Sequence, residues 1–279
     1  MGPMLRAVLP CLAGALIACS PEAEVDRPSH SVVFSQLTFA RAEEGVSVGF
    51  DLDGEVTANG DPSGCGRADF TSPDGSLGVD NATARLLPFL DSTEAVALEP
   101  IIQQEINNGG VLLILELIGL EDPTEDATVD LQLRHGIGEP LVGTDNFLMP
   151  GQTLEEDTAR VGARALDVAW QDGVLEASGF EVVVPVEVFD FSADFHVQES
   201  RIRLQRDDDG VWTGLFAGQV DWQGLMDVVQ NSGIDDTLTD ALPPLLDSIS
   251  DLPDANGDCT LLSATLEFVA TDVFVFGPE

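Results

Sequence analysis

The chain has 279 residues and a formal charge of −39 at pH 7, with fifty Asp and Glu against eleven bases, all of them arginine, and no tyrosine. At 44% hydrophobic with fourteen Phe it fills a real core, which excludes a disordered acidic polymer. Its charge repels phosphate backbones and anionic membranes and argues against nucleic-acid partners, and the missing lysine removes Schiff-base chemistry and phosphate-loop nucleotide binding.

Met1 to Arg6 is a short basic start, and Ala7 to Ile17 is an apolar run of signal-peptide length, too short to span a membrane. It ends in Leu16-Ile17-Ala18-Cys19, which resembles the lipobox of bacterial lipoproteins. The resemblance implies a leader of residues 1–18 cut before Cys19, a lipidated Cys19 thiol, and a place in the cell envelope with the membrane as partner. Ser20 after the cysteine implies the outer membrane by the enterobacterial rule. The competing reading is an ordinary secretory leader with an incidental cysteine. One acyl chain anchors a protein only marginally, while two or more hold it stably. Cys11 then leaves with the leader, so Cys65 and Cys259 remain as an even pair in an oxidising compartment. Their separation is 259 − 65 = 194 residues, and they are expected to form a disulfide rather than two separate buried thiols.

Residues 19–31 read as the lipidated cysteine and a polar tether, and 32–279 as a single domain. Val32 to Ala40 and Val46 to Leu52 are expected strands. In the second, Val46, Val48, Phe50 and Leu52 face one way, and Ser47, Gly49, Asp51 and Asp53 the other. That period puts the Asp51 and Asp53 carboxylates on one side, roughly 7 Å apart. The stretch from Asp51 to Asn81 has no helical or strand period. It holds six glycines, two prolines, Cys65 and seven acids against one base, Arg67. Loops beyond about 12–15 residues in compact domains are usually functional or disordered. Asp51, Asp53, Asp61, Asp69, Asp74 and Asp80 offer hard oxygens that suit Ca²⁺, which takes about 6–8 of them. The EF-hand is excluded, since its glycine and closing glutamate would fall on Val56 and Pro62. A solvated loop whose Asp-Gly pairs are turns is the competing reading.

Asp80 is placed to cap a short helix through Leu90. A second helix runs from about Glu99, with Pro100 at its first position, to Asn108, stopped by Gly109. Val111 to Ile118 reads as a central strand, and Val129, Leu131 and Leu133 alternate with polar residues in the next. Asp145 to Thr158 is expected to be loop. Strands then recur around Leu166 to Trp170, Val182 to Val188, Ile202 to Leu204 and Val211 to Val220, with a hairpin turn at 207–210. Asp221 or Trp222 opens a helix ending at Gly233. Asp235 or Asp236 opens another, which Pro243-Pro244 is expected to kink or break. Leu261 to Phe268 and Val273 to Phe276 are the last strands. Between them and the helix, Asp254, Asn256 and Asp258 repeat the calcium-like spacing directly before Cys259. Pairing of Cys65 with Cys259 is expected to draw both acidic loops onto one or two shared Ca²⁺ sites. Bound cations and adaptation to salt both explain the excess acid.

Leu86 to Ser92 matches Leu242 to Ser248 at five of seven positions, open to reading as two related halves or as coincidence. No HExxH, GxSxG or glycine-rich nucleotide motif occurs, and His30, His135 and His196 lack ligand-like spacing, so no catalytic residue is assigned.

The expected fold is mainly β, an antiparallel sheet or sandwich packed against two short helical pairs, with the long acidic loop capping one end. The leader, the Asp51–Asn81 stretch and the closing DANGDC resemble acidic, Asp/Gly-rich lipoproteins of myxobacteria-like genomes, a resemblance that implies no activity. The function expected is a non-catalytic envelope lipoprotein with calcium-stabilised loops. A carrier of an apolar ligand such as lipid is second, from the Phe- and Val-rich strands between Phe180 and Val197. A calcium-dependent hydrolase is third.

Overall fold

A computed structural model describes residues 27–122, 124–188, 191–207, 209–224, 226 and 236–276. The expected leader, Cys19 and most of the helix expected to end at Gly233 lie outside them. The protein is mainly β, as its alternating apolar positions require. Strand β1 (Ser29–Phe39) is followed by β2 (Ala42–Glu43) and β3 (Val46–Ser47), then by β4 (Phe70–Thr71) and β5 (Leu77–Val79). Helices α1 (Thr83–Leu90) and α2 (Leu98–Asn108) precede β6 (Leu113–Ile118), β7 (Glu125–Ile137), β8 (Gln152–Glu156), β9 (Ala163–Gln171) and the long hairpin of β10 (Val174–Val188) and β11 (Phe191–Arg206). The chain ends with β12 (Trp212–Asp221), α3 (Asp236–Ile249) and β13 (Leu261–Phe276).

The main sheet closes on itself. Its ring runs β1-β6-β7-β9-β10-β11-β12-β13, and the β1–β13 pairing returns it to its start. Every neighbour in the ring is antiparallel; β8 joins it separately, antiparallel to the end of β7 and parallel to the end of β13. Eight strands make a barrel just wide enough for side chains to fill. Period-two alternation sends Val129, Leu131 and Leu133 from β7 inward, Ile202 and Leu204 from β11, and Trp212 and Phe216 from β12. Phe34 stacks on Phe268 with centroids 4.1 Å apart, and Trp170 meets Trp212 at 5.9 Å. Beyond Val33, β1 has no ladder to β6, and α2 lies beside it there, with Gln103 Nε2 donating to Ser35 O at 2.9 Å. α2 also reaches β10, across the ring from β1, and its Ile106 is fully buried in the barrel core.

A second cluster joins Leu86, Leu87 and Leu90 of α1 to Leu242, Leu246 and Ile249 of α3, over Leu262 at the start of β13. The two echoing segments are thus both helices, and they pack on each other. Each ends with the same bond, Ser92 Oγ to Phe89 O and Ser248 Oγ to Leu245 O. Beside them Phe50 and Leu52, at the head of the acidic stretch, pack on Ala217, Leu252 and Leu261. The acidic loop therefore caps the barrel end where β13 begins.

Several expectations are corrected. β1 starts at Ser29, so Ser29 to Ser31 and His30 belong to the barrel and not to a tether. The strand from Val46 to Leu52 reduces to β3 and a single bridge from Phe50 to Asp80, because a carboxylate takes the Leu52 N–H that a partner strand would use. Asp80 does not cap α1; it turns inward, and Asn81 Oδ1 accepts the Ala84 N–H at 3.3 Å instead. α3 is not broken at Pro243-Pro244, because burial of Leu242, Leu246 and Ile249 outweighs the missing backbone donors. β8 lies where loop was expected, and β13 is one strand of 16 residues where two were expected. α2 and its stop at Gly109, with φ 86°, agree with the sequence.

Candidate metal centre

The ends of the acidic stretch meet. Asp80 N–H donates to Phe50 O at 2.9 Å, and Asp80 Oδ2 accepts from Leu52 N–H at 2.7 Å, so one residue clamps the 50–52 segment with both backbone and side chain. Asp51 Oδ1 accepts Gly54 N–H at 2.6 Å and Asp53 Oδ1 accepts Glu55 N–H at 2.8 Å, which bends the chain back over Asp80. One carboxylate oxygen each of Asp51, Asp53 and Asp80 then lie within 4.8 Å of one another, the sole such group of three found among the described residues. The floor is tight at Gly78 (φ 87°), where a Cβ would stand 3.1 Å from Glu55 O and 3.4 Å from Asp51 Oδ2.

Electrostatics at this cluster oppose full ionisation of its carboxyls, which a bound proton or a cation relieves. Asp80 is 2% exposed, and burial pushes its carboxyl up to about 8, with Asp53, Asp251 and Asp69 adding repulsion against the single Leu52 donor. Asp53 is raised too, by burial first and then by Asp69, Asp51 and Glu55, with the Glu55 N–H opposing. Arg85 is close enough to couple to Asp80, but it donates to Ala68 O and lies over the Phe70 ring, 4.4 Å from its centroid. Three hard carboxylates fit a divalent cation that takes oxygen ligands, with water completing its shell.

The other expected ligands do not join them. Asp61 accepts from Ser63 N–H and Oγ–H at 3.1 and 2.9 Å, and Asp74 from Ser76 N–H at 2.9 Å. Asp254 accepts from the N–H groups of Asn256 and Asp258 at 2.8 and 2.9 Å, and Asn256 and Asp258 are exposed. Asp61, Asp74 and Asp254 thus each satisfy a turn two to four residues on. The Cys65–Cys259 disulfide does form, with Cα atoms 5.8 Å apart. It joins the second loop to the middle of the first, whereas the carboxylate cluster sits at the first loop's two ends. The convergence of both loops on a shared site is therefore not what the bridge produces.

Two further acids support this region: Asp69, which the sequence places among the loop's candidate oxygens, and Asp251, which sequence reasoning missed. Asp69 accepts from Thr57 N–H at 2.6 Å and Thr57 Oγ–H at 2.7 Å, shaping the loop behind the cluster. Asp251, buried under the loop, accepts from Ser263 N–H at 2.9 Å and Oγ–H at 2.5 Å, and Ser263 Oγ accepts Ala82 N–H at 2.6 Å. Asp251 has no local signal, because its partner is an ordinary serine twelve residues on. Comparison with known proteins finds no matching family, no similar curated protein and no similar solved structure.

Proposed function

We propose that this is a non-catalytic, lipid-anchored envelope protein whose acidic loop is held in shape by a divalent cation, Ca²⁺ by the hardness of its ligands, at Asp51, Asp53 and Asp80. The observation that carries the reading is the meeting of these three carboxylates, one of them buried, at the closed end of a filled barrel. In this role the cation neutralises the cluster and fixes the loop as a structural cap or presented binding surface. Anchorage through Cys19 rests on the lipobox resemblance. The filled interior, with Trp170, Trp212, Phe34, Ile114 and Leu115 all below 2% exposure, supports a scaffold over a carrier of apolar ligand.

Native mass spectrometry of the oxidised body from Ser20 onward tests this. One Ca²⁺ removed by chelator, and absent from the Asp80→Asn variant, is the expected result. A bare mass overturns the cation reading, and a retained lipid-sized adduct moves the function to the carrier.

A further inference from the structure

Five of the large exposed apolar side chains, Phe274, Phe276, Ile137, Leu141 and Met149, lie around the C-terminal end of β13, while Val56 and Leu77 are exposed in the acidic loop and Val96, Val161, Leu166 and Val211 elsewhere. Phe274 and Phe276 are 67% and 65% exposed and stand on one face of β13, two residues apart. β8 runs beside them, with Thr153 opposite Phe274 and Glu155 opposite Phe276. Glu155 also lies opposite Ile137 of β7, itself 49% exposed. Exposed Leu141 and Met149 belong to the adjoining 138–151 loop. That loop is tied to the same end by Leu141 N–H to Gln152 Oε1 at 2.7 Å, Met149 N–H to Leu141 O at 2.8 Å and Gly151 N–H to Asp272 O at 2.7 Å. Apolar patches of this kind mark surfaces that meet a partner or a membrane.

The described chain also enters the barrel here. Ser31 pairs with Val273, so the start of β1 runs alongside the phenylalanines. Arg27 pins the entry by donating to Asp130 Oδ2, Ile118 O and Thr128 O at 2.9, 3.0 and 2.7 Å. From Cys19 to Arg27 is eight residues, a leash of at most about 28 Å. The acidic loop packs at Leu261, about 40 Å further along β13. A lipid on Cys19 therefore keeps the apolar end, and not the acidic one, against the membrane.

We propose that Phe274, Phe276, Ile137, Leu141 and Met149 dock on the surface of the bilayer that holds the Cys19 lipid. The inference rests on the lipoprotein reading above. Docking gives the protein a second apolar anchor beside the acyl chains, and it fixes an orientation in which the acidic loop points away from the membrane. Glu155 at the centre of the patch and the overall charge make a zwitterionic surface the favoured one.

Hydrogen exchange of the full lipidated protein on phosphatidylcholine vesicles tests the proposal, with the N-terminal peptide weighed in the same experiment. Loop amides of 138–151 are expected to exchange roughly tenfold slower in wild type than in the Phe274→Ser/Phe276→Ser variant, with both proteins vesicle-bound. The Leu141→Ser/Met149→Ser variant is expected to release protection at 272–276 in the same way, which guards against a purely local effect of either pair. Leu77→Ser, at the acidic end, is expected to change neither segment. An acylated N-terminus with equal exchange in wild type and variants overturns docking alone. An unacylated N-terminus overturns the lipoprotein reading and docking together. Protection that needs no vesicles and grows with protein concentration assigns the patch to a second copy of the chain and also overturns docking.

Discussion

His135 is 2% exposed on β7, and neither ring nitrogen has a hydrogen-bond partner. Burial, then Arg160, lowers its pKa, against weaker pulls from Asp157 and Asp194. The unfolded ring keeps its ordinary value of about 6.5, so the unfolded chain binds the extra proton and stability falls as pH drops through that range. His135→Leu, of similar volume, is expected to be more stable than wild type by about 1 kcal/mol at pH 7 and by more at pH 5, read from urea midpoints. A gap that stays constant from pH 7 to pH 5 would contradict a buried neutral imidazole. Asp251 behaves oppositely. Burial raises it to about 6 although Ser263 donates to it twice. Its stabilising contribution is full below about 4 and is lost as pH rises through about 6. Ser263→Ala removes one donor and leaves the Ala82 N–H bare, so a loss of about 2–3 kcal/mol at pH 7 is expected, with a smaller loss at pH 4. Equal losses at the two pH values would mean that the hydroxyl does nothing for the Asp251 charge.

Among the elements, the Cys65–Cys259 bridge acts on the acidic loop as a whole. It closes a span of 194 residues, worth on the order of 5 kcal/mol in the chain-entropy model. Arg67 is the one base between Asp51 and Asn81, so trypsin has a single site there. The oxidised protein is expected to resist cleavage after Arg67, and the Cys65→Ser/Cys259→Ser variant to be cut there first. Cleavage at the same rate in both would show that the loop holds without its bridge. This pairing was legible because only two cysteines remain once Cys11 and Cys19 are assigned to the expected leader and lipid anchor. The continuous run of β6, the alternation of β7 and the Gly109 stop of α2 were legible for similar local reasons. β8 was not, since Gln152 to Glu156 offers one buried apolar residue, Leu154, and becomes a strand only where β7 and β13 flank it. The unbroken β13 was hidden by Asp272, a polar residue whose partners, His30 Nε2 at 2.9 Å and Trp212 Nε1 at 2.8 Å, are far away in sequence. Asp51, Asp53 and Asp80 could be proposed from composition. Their separation from Asp61, Asp74 and the second loop could not, because it depends on which acids close their own turns.

At the scale of the whole molecule, the charge of −39 and the carboxylate cluster predict different responses to salt. Diffuse repulsion between exposed acids is relieved by any electrolyte, since the screening length falls to about 10 Å at 0.1 M. A site is relieved only by what binds it, and binding to the folded state alone adds RT ln(1 + [L]/Kd), about 2.7 kcal/mol at a hundredfold excess over Kd. Unfolding in CaCl₂ and in NaCl at matched ionic strength separates the two. Wild type is expected to gain stability in both, with an additional increment of about 2–3 kcal/mol in CaCl₂. Asp80→Asn keeps an oxygen for the Leu52 N–H, removes the buried titratable group and takes one ligand from the cluster. It is expected to match or exceed wild type in NaCl, because the folded state no longer has to hold a buried acid protonated at a pH where the unfolded chain ionises it, and to lose the calcium increment. If the variant keeps the full increment, calcium acts across the whole acidic surface, and the dense charge is an adaptation to salt with no cation site at Asp80. If neither protein distinguishes the two salts, the three carboxylates meet without a metal, and the loop is held by its turns and its disulfide alone.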